Sequence, residues 1–298
     1  MASRVCAVDA VCTMATAECA DELALFLTSL RQWHPKVPVF IAASSQLLRA
    51  ADAQRERLLH PFLADANISF IPSLDQYGPI CRSTMETAKG VWYRQSRHTD
   101  FMMEKANIID HALHVGRTNA LFADCDVTFL APLPVQPTSA VVGLSAHGIR
   151  GLDERLFGRY NGGYVYVADP AVTFLWRSFA HSSRYFDQAA LEDVARAVVS
   201  EQGAAALHEF PRQVNYGYWR MFQSDASVKD EVERFGVDKT GLTYLSEPLR
   251  SVHTHFAMPS GSRTVPVFNR LVVRWLQQLP VTHQGRQLAD LIGRSRET

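Results

Sequence analysis

Charge imbalance, paired cysteine spacings, long apolar runs, internal repeats and low-complexity segments are all missing from this 298-residue chain. Thirty basic residues stand against thirty acidic ones, which excludes an acidic tail and argues against a surface built to hold nucleic acid. Five cysteines, at positions 6, 12, 19, 81 and 125, form an odd set without metal-type spacing, so reduced and mostly buried thiols are expected. The opening MASRVCAVDAVCTMATAECADE has no long apolar stretch after Arg4; neither a signal peptide nor a membrane anchor is expected there, and the chain reads as cytoplasmic. What the chain does have is hydrophobicity, nearly half of its residues, enough for a large core in one sizeable domain or two joined lobes.

Strand and helix patterns alternate in the first half. RVCAVDAVCTM reads as a buried strand, and Leu23, Phe26, Leu27, Leu30 and Trp33 follow at helical spacing. VPVFIAAS is a second strand, after which Ser44 and Ser45 are placed to cap a helix over QLLRAADAQRERLLH. NISFIPS is a third strand; DQYGPICRSTMETAKGVWYRQSRH is mixed and turn-rich; a helix then runs from Thr99 towards Gly116, and TNALFADCD is a fourth strand. Repeated β-α units of this length imply an α/β protein with a Rossmann-like, mostly parallel sheet flanked by helices. Ligands bind such sheets beyond the carboxyl ends of the strands, where Thr13 and the acids of the fourth strand fall. In the second half SAVVGLSAH, NGGYVYVADP and LRSVHTHFAM read as strands, and AVTFLWRSF and YFDQAALEDVARAVVSEQ as helices. The bend at APLPVQPTSA is the natural seam between residues 1–135, a nucleotide-binding lobe, and 136–298, a lobe completing the site within one continuous domain.

The fourth strand is unusual in how it ends. In LFADCDVTFLAPLP, residues 121–134, strand alternation puts Asp124 and Asp126 on one side and Cys125 on the other. Two adjacent carboxylates repel each other, and burying them uncompensated costs several kcal/mol. A hard cation, Mg2+ or Mn2+, removes the conflict; a solvated strand end is the equally weighted plain alternative.

With these residues in view, the chain resembles the GT-A glycosyltransferases, in particular the glycogenin-like and bacterial lipopolysaccharide galactosyltransferase groups. LFADCDVTFLAPLP is similar to their Asp-x-Asp motif, RYNGGYVYV to their sugar-pocket strand, YFDQAALEDV to their Asp-Gln helix start, and SVHTHF to their late His-aromatic pair. The resemblance runs from about residue 5 to about residue 260. It implies a GT-A fold with a second, acceptor-side lobe and metal-dependent transfer of a sugar, with retention, from a nucleotide-diphosphate donor such as a UDP-sugar to a glycan, lipid or protein. It also implies Mn2+ (or Mg2+) on Asp124, Asp126 and His255; donor contacts from Thr13, Lys105, Asp124, Asn161, Gly162 and Gly163; and reaction-centre roles for Asp187 and Gln188. Alternation leaves His253 and His255 on one strand face; it is the aromatic Phe256 that matches His255 to the family pair. An imidazole in the set favours Mn2+ over Mg2+.

Two stretches depart from the family pattern. FAMPSGSR follows the histidines where the family has a Gly and then Lys-Pro-Trp, leaving Arg263 as the cation on offer, and the aromatics of EFPRQVNYGYWRMF replace a Leu-Asn continuation. Core packing is the default for those rings, with a sugar platform as the alternative. Other functions also fit parts of the chain. DCDVTF matches the Asp-x-Asp-x-Thr signature of haloacid dehalogenase-type phosphatases, with Asp225 and Asp230 in SDASVKDE mimicking their distal acids. Against this, the signature follows three β-α units and carries Val127 before the Thr. A non-catalytic sugar- or nucleotide-binding module would be marked by loss of an acid or of the histidine, and none is lost.

Overall fold

The computed structural model describes residues 5–49, 53–77, 97–257 and 262–294. Its centre is a seven-stranded sheet in the order Leu207–Phe210, Val142–Ala146, Tyr160–Val167, Ala120–Ala123, Ala10–Ala15, Val39–Ala43, Ile68–Ile71. Tyr160–Val167 runs antiparallel to both its neighbours and all other pairings are parallel. The sheet therefore takes strands from both sides of position 135, without a break at the proline-rich bend.

Helices cover both faces because each carries an apolar stripe at a 3.6-residue period. Ala20–Trp33 buries Leu23, Phe26, Leu27 and Leu30 on one face of the sheet. Arg97–His114, Pro170–Ala180 and Phe186–Gln202 pack on the other, around Ile109, Trp176 and Leu191. Arg97–His114 stops where Gly116 takes φ +96, a left-handed terminator suited to glycine. Pro170–Ala180 starts with Pro170 in its first turn and the Asp169 carboxylate accepting from the Ala171 N–H, both favoured at a helix N-terminus. A third core, with Tyr216, Tyr244, Phe268 and Leu276, joins the C-terminal helices Thr264–Leu276 and Gln284–Arg294 to a small sheet ordered Tyr216–Gly217, Ser251–His253, Val127–Phe129.

Four local expectations change. RVCAVDAVCTM splits into Val5–Cys6 and Ala10–Ala15. Asp9 leaves the ladder between them: its carboxylate accepts from the Thr118 N–H at 2.8 Å, and its own N–H donates to Asn119 Oδ1 at 2.9 Å. The helix after Ser44 is two helices, Ser45–Leu48 and Ala53–Leu63, because the chain turns extended at Arg49. The fourth strand ends at Ala123 rather than running through the acids, since the Val127 N–H turns back to the Asp124 carbonyl at 3.0 Å. The late strand stops at His253, with one further bond in the same register, from the Thr254 N–H to the Asp126 carbonyl at 3.1 Å, before the chain bends away. The turn-rich stretch before Arg97 lies mostly outside the described residues, as does Cys81; the other four cysteines are free thiols. Among the described residues no helix is long and apolar enough to cross a membrane.

Candidate active site

Asp124 and Asp126 flank a tight turn that joins the central sheet to the small one. Ala123 pairs with Tyr164 in the first sheet and Val127 with His253 in the second, so the two acids meet the Asn-Gly-Gly strand and the late strand at one point. Their convergence comes from this double anchoring rather than from strand alternation.

Lys105 reaches the site from the helix Arg97–His114 and is buried, with 2 % of its side chain exposed. Its ammonium lies 3.2 Å from Asp124 Oδ1, 3.1 Å from Asp187 Oδ2 and 3.2 Å from the Gly162 carbonyl, three partners for three N–H bonds. Burial alone would lower its pKa, but the charges of Asp124 and Asp187 outweigh that and raise it. The glycines make room for this packing. A Cβ on Gly162 would stand 2.2 Å from Asp187 Oδ2, and one on Gly163 2.1 Å from Asp124 Oδ2 and 2.6 Å from His253 Cε1. These are close approaches that only glycine permits.

Asp187 is fixed from behind: the Trp176 indole N–H donates to its carbonyl at 2.7 Å, and the preceding Phe186 is held at φ +43. A bulky residue in that left-handed region carries strain of about 1–3 kcal/mol, which is retained where the surroundings impose it. Gln188 is half-buried and donates from Nε2 to the Phe157 carbonyl at 2.9 Å.

Asp126 Oδ1 lies 3.0 Å from His253 Nε2, and Asp126 Oδ2 lies 3.2 Å from His255 Nδ1. Burial opposes ionisation of Asp126, yet the two imidazoles hold its carboxyl well below the usual range. Desolvation is the strongest single influence on the buried His253 and pushes it down, but the charges of Asp126 and Asp124 and the Asp126 hydrogen bond together outweigh it, for a net rise. Ligand atoms of Asp124, Asp126 and His253 all fall within 4.8 Å of one another. His255 stands outside this trio: it lies past the end of the strand, 39 % exposed, on the outer oxygen of Asp126. The donor set of two carboxylates and one imidazole suits a divalent first-row cation. His253 Nε2 faces the gap between the acids while Nδ1 is tied to Asn215 Oδ1 at 3.0 Å, the arrangement that fixes a metal-binding histidine.

Beside the trio opens a cleft of about 220 Å3, lined among others by Met14, Thr16, Glu22, Met102, Lys105 and His255. Thr13 is fully buried within its strand, and it is Met14, Ala15 and Thr16 that line the cleft. Arg263 is exposed at the start of the helix Thr264–Leu276. A second hollow, about 500 Å3 beside Tyr160 and Glu192, contains none of these residues, and its Arg159 is paired with Glu209 at 3.0 Å.

Three residues that sequence reasoning did not single out, Asn215, His147 and Arg220, complete the floor together with Trp219, one of the aromatics weighed above as a sugar platform. Asn215 is fully buried, at φ +56, a conformation Asn tolerates better than other non-glycine residues. His147 donates from Nδ1 to the Gly158 carbonyl at 2.8 Å, and burial lowers its pKa to about 4. Arg220, lowered by burial to about 10, braces the loop through the carbonyls of His147 and Arg212. Trp219, half-buried, meets the His253 ring edge-on at 4.9 Å, whereas Tyr216 packs in the core. An Asn two residues before a Gly, in VNYGYW, was the sequence signal for Asn215; nothing comparable marked His147.

No known family's sequence pattern matches the chain, and no curated protein matches its sequence. Solved structures that it overlaps include the galactosyltransferase LgtC in complex with donor and acceptor sugar analogs, at 13 % identity, 95 % of each chain and TM-score 0.46. Others are mouse xyloside xylosyltransferase 1, at 12 % identity, 85 % of this chain, 100 % of that one and TM-score 0.43, and the bifunctional glycosyltransferase WbbM. The WbbM overlap has 10 % identity and TM-score 0.49, over 97 % of this chain and 52 % of that one. All three are glycosyltransferases; overlap at this level assigns neither a substrate nor residue roles to this chain.

Proposed function

We propose that the protein is a metal-dependent glycosyltransferase that moves a sugar from a nucleotide-diphosphate donor, a UDP-sugar foremost, to a glycan, lipid or protein acceptor with retention. The observation that carries this reading is the convergence of Asp124, Asp126 and His253 beside the buried Lys105–Asp187 pair and the close-packed glycines of the Asn-Gly-Gly strand. Residues 1–135 then supply the donor cleft and the Asp-x-Asp turn, and 136–298 the sugar pocket and the acceptor side.

Asp124, Asp126 and His253 would hold Mn2+ (or Mg2+), and the bound ion would offset the charge that develops on a departing diphosphate. His255 keeps the outer oxygen of Asp126 oriented. Lys105 neutralises Asp124 and Asp187 from below and locks the height of Gly162, so that the strand backbone forms a flat floor on which a sugar ring can lie. Asp187 and Gln188, presented at the start of their helix, face that floor to take up sugar hydroxyls and steady an oxocarbenium-like carbon. Met14, Thr16 and Glu22 are placed for the nucleoside end. Asp230, which the phosphatase alternative needs as a distal acid, is engaged in a reciprocal cap with Ser227.

A panel of nucleotide sugars incubated with the purified protein and Mn2+ tests the proposal. Slow release of nucleoside diphosphate from one donor, with p-nitrophenyl phosphate left intact, is the expected result. Turnover of p-nitrophenyl phosphate that is lost in Asp124→Asn would establish the phosphatase instead, and Mn2+-independent binding of sugars without turnover the binding module.

A further inference from the structure

Four side chains beneath the site, His147, Asn161, Asn215 and His253, form a buried hydrogen-bond chain whose direction is set by two backbone groups. Within the chain the Gly163 N–H, a group that can only donate, bonds Asn161 Oδ1 at 3.0 Å. The Asn161 amide is thereby oriented, and its Nδ2 faces His147 Nε2 at 3.3 Å. At the His147 end the Gly158 carbonyl, which can only accept, requires N–H on His147 Nδ1. His147 Nε2 is then the acceptor for Asn161, in keeping with the neutral imidazole that burial enforces.

Asn215 closes the chain. The group 3.1 Å from Asn161 Oδ1 must be a donor, so it is Asn215 Nδ2, which also lies 3.2 Å from Ser145 Oγ. Asn215 Oδ1 is left facing His253 Nδ1 at 3.0 Å, and that nitrogen must carry the proton. Each assignment follows from the previous one, starting at a peptide N–H.

We infer that Asn215 is a positioning residue that dictates which nitrogen of His253 faces the two acids, and that through Asn161 it ties the metal-binding side of the site to the backbone of the sugar floor. The inference rests on the metal reading above but adds a requirement that reading does not contain: an acceptor at position 215 aimed at Nδ1. Its left-handed backbone narrows the informative substitutions to Gly, which keeps that backbone without a side chain, and Asp, which keeps an acceptor on Nδ1 but replaces the donor facing Asn161.

Mn2+ binding to the purified protein, read by electron paramagnetic resonance titration of the free ion, separates the possibilities. Asn215→Gly should weaken Mn2+ about 10- to 100-fold, the usual effect of losing a partner that orients a metal-bound histidine. Asn215→Asp should bind Mn2+ close to wild-type strength yet lose donor turnover, because its second oxygen repels Asn161 Oδ1 and disturbs the floor. A long-range 1H–15N spectrum of the wild-type protein loaded with diamagnetic Cd2+ should show the metal on Nε2 of His253 and a proton on Nδ1. Wild-type Mn2+ affinity in Asn215→Gly, an equal loss in Asn215→Asp, or Cd2+ on Nδ1 would each overturn the inference and leave the metal reading standing. If Asn215→Gly does not fold, Asn215→Asp and the Cd2+ spectrum decide between the same outcomes. Absence of any Mn2+ binding by the wild-type protein would overturn both.

Discussion

Gly163→Ala is the sharpest perturbation the site offers, because one methyl group tests the packing of a carboxylate and an imidazole together. Its Cβ would stand 2.1 Å from Asp124 Oδ2 and 2.6 Å from His253 Cε1, where ordinary contact begins near 3.4 Å. Something must give way by about 1 Å or more, and a displacement of that size in a reacting constellation costs about 100-fold in rate. A hundredfold loss corresponds to about 2.7 kcal/mol of transition-state stabilisation. The fold should tolerate the change: alanine is intrinsically better than glycine in a strand by about 0.5–1 kcal/mol, which offsets part of the crowding. Turnover of the donor identified in the nucleotide-sugar panel, measured against Mn2+ concentration, should therefore fall about 100-fold with a higher Mn2+ midpoint, while the melting temperature moves by only a few degrees. Gly143→Ala is the control, since its Cβ would press on Phe210 and Tyr166 at 3.1 Å without touching the site. Half or more of wild-type turnover in Gly163→Ala, at an unchanged Mn2+ midpoint, would refute the placement of Asp124 and His253 over this strand.

Lys105→Met removes the cation that lies between Asp124 and Asp187, and breaking a buried pair from one side costs about 3–5 kcal/mol; the urea midpoint should drop accordingly, and an unchanged midpoint would show the two acids balanced by something else. His253→Ala should raise the Mn2+ concentration needed for half-maximal activity far more than His255→Ala, and the reverse order would move the ligand to His255, as the family resemblance implied. His147 sets a pH dependence: with its pKa near 4 in the folded protein against about 6.5 unfolded, the unfolded chain binds the extra proton between those values. Stability is thus full above about pH 6.5 and declines as pH falls towards 4, by on the order of 3 kcal/mol; His147→Gln should flatten that decline in thermal melts, and a parallel decline in both proteins would assign it elsewhere.

Strands and helices of the first half were legible because apolar periodicity there is long and uninterrupted, as in Leu23, Phe26, Leu27 and Leu30. Asp124, Asp126, Asn161, the two glycines, Asp187 and Gln188 stood out because they sit in sequence motifs near the ends of elements, and Lys105, in the middle of its helix, only through the family resemblance; the structure brings these residues close to one another. Choosing between His253 and His255 was not possible from alternation, because alternation puts both on one face; what separates them is that His255 lies beyond the last residue of the strand. Asn215 and His147 were invisible for a different reason: their importance lies in which atom points at which neighbour, and no periodicity records that. Thr13 shows the converse error of register, where the cleft begins one residue later along the same strand.

The Asp-x-Asp turn belongs to two sheets at once, and this gives the site an order of assembly. Asp124 and Asp126 emerge with the early β-α units, but the partner strands that fix them, Tyr160–Val167 and Ser251–His253, come progressively later in the chain. During synthesis the acids can be completed with His253 only after every strand of the central sheet has emerged, and so non-local a pairing must also meet its loop-closure entropy before its contacts form. Acquisition of Mn2+ affinity would consequently report the final docking event in folding, and a refolding experiment followed by metal uptake should lag one followed by burial of Trp176.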